Sequence, residues 1–155
     1  MLTMQTRVNV KGISGKAISK FFLNCTDEDY RRWWQGVHLS FHTIKRYPNN
    51  LGNLVCFDEF VGKYRLKFKG EVIEIISGRK LVWQMKKGMK LPGWLTLVFE
   101  DSKEGVEIIH TLTIGFHGVG VILDPLLKVY FSDDFEKEMD KHAQVEFHKL
   151  AEMLS

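Results

Sequence analysis

The hydrophobic period of this chain changes once, near Pro125, and that change limits the folds open to it. Upstream lie runs rich in β-branched and aromatic residues, at 54–61, 64–76, 80–86, 94–100 and 106–116. Ser77-Gly78, Lys87-Gly88 and Lys103-Glu104-Gly105 separate them as turns. Strand after strand with tight turns and no helix between predicts an antiparallel sheet. Downstream, residues 125–154 hold no glycine and no further proline. There Phe135, Met139, Ala143, Phe147, Leu150 and Leu154 recur at helical spacing, which predicts one long C-terminal helix with an apolar stripe. A sheet with one apolar face and a helix with one apolar stripe bury each other.

The first third of the chain adds a strand at 6–10 and a short helix over 14–23 with Ile18, Phe21 and Phe22 inward. Thr26-Asp27-Glu28-Asp29 then reads as an N-cap with acids in the first turn. The helix it opens runs through Tyr30 and Trp33 and fades by Gly36. Pro48-Asn49-Asn50 and Gly52 mark a turn. The reading is an α+β domain over residues 1–155, with about six or seven curved antiparallel strands wrapped on a long C-terminal helix and two short helices after the first strand. A chain this long buries roughly 68–70% of its unfolded surface.

Charge narrows the partners. The net charge is +3, and Lys63, Arg65, Lys67 and Lys69 are scattered along a strand rather than gathered in a block. This argues against a nucleic-acid partner. Cys25 and Cys56 sit among apolar residues and read as buried thiols, not as a disulfide framework. No apolar stretch follows a basic start and no run approaches the ~18 residues of a membrane span, so the expected compartment is the cytoplasm.

Two pairs at four-residue spacing carry the chemistry: His38 with His42, and His142 with Glu146. Four residues apart, side chains share one face of a helix and also one face of a strand. On a wheel centred on Met139, Ala143 and Leu150, Glu146 falls within the apolar stripe, His142 on its flank and His148 on the solvent side. An ionised carboxylate there is costly unless paired or bound to metal. The competing reading has it reaching the open end of the stripe or pairing with a lysine. Glu59 repeats the anomaly on an apolar strand, with a wet strand end as its plainer explanation. His110 interrupts Val106, Ile108, Leu112, Ile114 and Phe116, either as an acid–base group facing a cavity or as a satisfied core histidine. Together these residues are the parts of a nitrogen–oxygen zinc site.

Element order, length, Trp33-Trp34, Gly62, Gly70, the Trp83 strand and the C-terminal helix resemble the START-like, or SRPBCC, helix-grip superfamily. The resemblance spans nearly the whole chain. It implies a deep apolar cavity between sheet and long helix, in a superfamily whose members bind lipids, hormones or polyketides or act as cyclases and hydrolases. A narrower resemblance is to its 2,4-diacetylphloroglucinol hydrolase-like branch, which binds zinc through two histidines and two glutamates. Trp33-Trp34 with His38 and His42, then Glu59, then His142 and Glu146 look like that set, with either His38 or His42 as one ligand. The family's extra N-terminal region and the proline after the first histidine are absent.

The resemblance implies a zinc-dependent hydrolase of a small hydrophobic aromatic or polyketide-like ketone, cleaving a carbon–carbon bond. His110, Tyr64 or Tyr130 would supply the proton or bind a phenolic oxygen, and Phe57, Phe68, Trp83, Phe99, Phe116 and Met139 would line the cavity. The alternative is a non-catalytic binder or carrier of such a ligand. A third class, a protein-interaction domain like some START-like co-chaperone regulators, would call for an exposed apolar patch. The chain is expected as a monomer or homodimer.

Overall fold

Alternation sets the first strand, β1 (Leu2–Lys11): Met4, Thr6, Val8 and Val10 are buried and the residues between them face water. The computed structural model describes residues Met1–Ser155. Ser14 caps α1 (Gly15–Asn24) by accepting the Ala17 amide. Thr26 and Asp29 form a reciprocal capping box on α2 (Asp27–Trp33). Six strands follow: β2 (His38–Lys45), β3 (Leu54–Val61), β4 (Tyr64–Ile76), β5 (Lys80–Lys87), β6 (Met89–Asp101) and β7 (Gly105–Ile114). A 3-10 turn (Gly118–Leu123) leads into α3 (Asp124–Tyr130), and α4 (Asp133–Leu154) ends the fold.

All seven strands form one antiparallel sheet in the order β1-β7-β6-β5-β4-β3-β2. The first strand therefore lies beside the last, and α1 and α2 carry the chain from one sheet edge to the other. Helix α4 is tied across the inner face at several points. Thr6 donates to Asp140 at 2.7 Å, Gln144 donates to the Arg7 carbonyl at 3.0 Å, and the Trp33 indole donates to the Glu146 carbonyl at 2.6 Å. Leu81, Leu97, Ile108, Phe147 and Leu150 are almost fully shielded between the layers. Burial of each such side chain contributes about 1.5–3 kcal/mol.

Three expectations need correction. Strand β2 is an addition to the elements read from the sequence, because only His38 and Phe41 of its eight residues are buried and its hydrophobic pattern is correspondingly faint. The C-terminal helix is broken: α3 stops at Tyr130, and Ser132 starts α4 by accepting the Phe135 amide. Strand β6 begins at Met89 rather than 94, since the chain turns on the single residue Gly88, whose φ of 78° suits glycine.

Candidate metal centre

The inner face of the sheet delivers two of the four side chains that matter. On β3, Val55, Phe57, Glu59 and Val61 alternate inward, and Glu59 pairs in register with His38 of β2. A bulge follows at once: Ser40 pairs with Asp58, so two steps on β2 match one on β3. The extra residue reverses the parity of the strand. Phe41 then faces inward beside Phe57, and His42 faces outward beside Cys56. His42 hydrogen-bonds Asp27 at 2.8 Å near the surface, while His38 is fully buried. The expectation that four-residue spacing keeps both histidines on one face fails here for that reason.

Helix α4 delivers the other two. His142 and Glu146, one turn apart, are 4% and 6% exposed, and His148 lies on the wet side as its place on the wheel requires. Glu146 lies in the stripe by its helical phase, and the Trp33 indole donates to its backbone carbonyl. One nitrogen or oxygen atom from each of His38, Glu59, His142 and Glu146 lies within 4.8 Å of all the others. The His38 ring is 3.5 Å from Glu59 and 3.4 Å from Glu146; the His142 ring is 3.1 Å from Glu59 and 3.2 Å from Glu146. Imidazole and carboxylate alternate around the group.

Electrostatics and packing make this group anomalous as a self-contained one. Burial opposes charge on His142, but Glu146 and Glu59 outweigh it and raise its pKa to about 10. Burial alone would raise the pKa of Glu146; His142 and His38 overcome it and hold the carboxyl well below its usual range. Neither ring nitrogen of buried His38 makes a well-aligned hydrogen bond. Such orphaned atoms are uncommon in native interiors. The ring is positioned by packing instead: Tyr30 stacks on it at 4.0 Å, nearly parallel, and Trp33 meets it edge-on at 4.5 Å. Trp34 stacks on His142 at 4.9 Å.

The donor set, two imidazoles and two carboxylates within 4.8 Å of one another, could hold a divalent cation such as zinc. Four bonds of about 2.0–2.2 Å in a tetrahedron place neighbouring ligand atoms roughly 3.3–3.6 Å apart, close to the 3.1–3.5 Å measured between each imidazole and its two carboxylates. A cation there would give His38 its missing partner and neutralise the buried Glu146 carboxylate and the half-buried Glu59 one. Tyr30 donates its hydroxyl to Glu59 at 2.8 Å, an outer contact of the kind that orients a metal-binding carboxylate. Burial, then Glu59, push the Tyr30 phenol well above its ordinary pKa, so it stays a donor. The sequence presents Tyr30 only as a helix residue. Its position three residues before Trp33, on the same face of α2, is the available signal.

The remaining candidates are placed differently. His110 lies mid-sheet on the inner face, between Thr6 and Leu97, with Nδ1 unpartnered. Burial lowers its pKa, and Glu146 and Glu59 act on it electrostatically. Tyr64 gives its hydroxyl to Asp134 at the start of α4, so Tyr30 is the phenol bonded to the group. Among the expected cavity residues, Phe57, Trp83 and Phe99 are at most 3% exposed and belong to the main core, with Phe68 stacked on Phe57 at 4.9 Å. Phe116 is tied to Asp124 through its amide. Met139 lines a groove of about 540 Å³ between β1 and α4. The hollow that reaches the group is a different one, about 280 Å³, lined by Trp34, Val37, Phe60, Gly62, Glu138, Lys141, His142 and Val145.

No family model and no curated protein matches the chain. Its fold does match solved structures. A protein of Thermus thermophilus, TTHA0849, superposes with a TM-score of 0.68 at 13% identity, over 99% of this chain and 97% of that one. The ginseng major latex-like protein 151 of Panax ginseng gives 0.57 at 12% identity, over 91% and 95%. Aha1 from Colwellia psychrerythraea, solved as a dimer, gives 0.53 at 15% identity, over 94% and 98%. These neighbours have the START-like helix-grip architecture, and this chain has the same fold.

Proposed function

We infer that this protein is a metal-dependent hydrolase, with zinc held by His38, Glu59, His142 and Glu146. The observation that carries the reading is His38: a fully buried imidazole without a well-aligned hydrogen bond, set 3.4–3.5 Å from two carboxylates. Burying such a group is unfavourable without a ligand to satisfy it. Bound zinc supplies Lewis acidity and lowers the pKa of a coordinated water towards ~7.

The chain's own residues define the rest. Trp34, Val37, Phe60 and Val145 form apolar walls where the hollow meets His142, which suits a flat hydrophobic substrate such as an acylated aromatic ketone. Lys141 lies at the same hollow and would attract a phenolate oxygen. His110, whose pKa burial lowers, has an unpartnered Nδ1 and feels Glu146 and Glu59 electrostatically, and it is the candidate for holding or passing a proton there. Tyr64, already bonded to Asp134, would serve only after releasing that contact.

The test is hydrolysis of a panel of acyl phenols, followed by release of the carboxylic acid. The reading expects release by the wild type, loss on chelation, recovery with zinc, and loss in His142→Ala. A zinc-loaded protein that binds these compounds without cleaving any would overturn the hydrolase reading in favour of a carrier of small hydrophobic ligands, the alternative that the fold itself favours.

A further inference from the structure

Away from the metal group, the segment between β7 and α4 exposes an unusual amount of apolar surface. In α3, Leu126, Val129 and Tyr130 lie at i, i+3 and i+4 and so share one face; they are 62%, 77% and 75% exposed. The opposite face of the same helix is also apolar: Leu127 and Phe131 point inward and line a hollow of about 110 Å³ with Met85, Leu91 and Ile114. In the preceding 3-10 turn Val119 and Ile122 are 92% and 81% exposed. The β5–β6 hairpin stands beside them, since Leu91 and Pro92 line the same hollow, and its tip carries Met89, 71% exposed. A helix apolar on both faces has one face too many for a protein surrounded only by water.

Charge identifies the occupant. Lys87 and Lys90 flank Met89, both exposed; Lys128 on α3 is exposed too and lies 3.9 Å from the exposed Asp133 carboxylate. Asp124, the acid within this segment, is engaged by the Phe116 amide. The patch is therefore apolar with a basic rim, and a tyrosine lies at its edge. Two copies meeting through this patch would bring like charges together, which disfavours self-association. An anionic lipid surface complements all three features: acyl chains for the apolar tips, headgroups for the lysines, and the interface for the tyrosine.

We propose that the 3-10 turn, α3 and the β5–β6 tip together dock this protein on anionic membrane surfaces. The docking is peripheral, as no helix is long and apolar enough to cross a membrane. The small hollow opens beneath the docked face and lies against Met85 and Ile114, which are buried with Leu112 and Phe135, and against Phe131, which packs on them. A ligand dissolved in the bilayer would meet the protein on this side.

The experiment is co-sedimentation with vesicles of phosphatidylcholine and phosphatidylserine in equal parts, beside pure phosphatidylcholine vesicles, using three proteins. Wild type should pellet with the mixed vesicles and far less with the neutral ones. Ile122→Ser, Val129→Ser should abolish pelleting with an unchanged circular-dichroism spectrum, because both residues are exposed. Lys87→Glu, Lys90→Glu should weaken binding to the mixed vesicles by roughly thirtyfold or more, from ~1 kcal/mol per lysine. Wild type that pellets with neither vesicle overturns the proposal. So does serine-variant binding equal to wild type, or a concentration-dependent dimer without lipid that the serine variant abolishes.

Discussion

His38 and His42 look equivalent in the sequence and are opposite in the structure. One extra residue, Leu39, turns His42 to the outer face, where Asp27 receives it. His42→Ala should therefore retain metal, and His38→Ala should lose it, as read by metal content of the two purified variants. Tyr30→Phe removes the hydroxyl donated to Glu59 and should weaken metal affinity about 10–100-fold, measured by competition with a chelator. Cys25 gives a test independent of the group. Burial, then Asp29 and Asp27, push its thiol far above the ordinary 9.0. Folding thus favours the protonated form, so this contribution is present below pH ~9, where the unfolded thiol also keeps its proton, and is lost as pH rises above it. The melting temperature of the wild type should fall more steeply above pH 9 than that of Cys25→Ala. Glu59, His142 and Glu146 were legible as polar residues on apolar faces. The choice between the histidines was not, because a bulge leaves no mark in the spacing of side chains.

At the scale of elements, the strand run and α4 were legible because their periods of two and 3.6 are sustained over many residues. β2 was not, since it buries little and its pairing with β3 is irregular at both ends. The end of α3 was hidden by a continuous apolar pattern across Phe131, although Ser132-Asp133-Asp134 carries a usable start signal. Ser132→Ala should cost about 1 kcal/mol of stability, and Leu150→Ala, at a fully shielded position, about 2–5 kcal/mol. Denaturant unfolding followed by circular dichroism checks both. A helix continuous through Ser132 would predict no effect of the first change.

Across the whole molecule, β2 beside β3 and α4 across the inner face bring residues 38, 59, 142 and 146 to one place from separate parts of the chain. The helix-grip resemblance gave that convergence as an expectation, together with a deep apolar cavity between sheet and helix; Phe57, Trp83 and Phe99 are buried in the main core between those layers. Specificity would then come from the smaller hollow beside Trp34 and His142. Because a metal bound there would link β2, β3 and α4, zinc at about 100 times its dissociation constant should stabilise the fold by about 2.7 kcal/mol, seen as a rise in melting temperature that chelation reverses. The most direct measurement is the metal content of the purified protein by elemental analysis, beside a His142→Ala, Glu146→Ala variant. The account predicts about one zinc per chain in the wild type and none in the variant. A wild type without metal even after refolding in zinc, or a variant that holds as much, would contradict it.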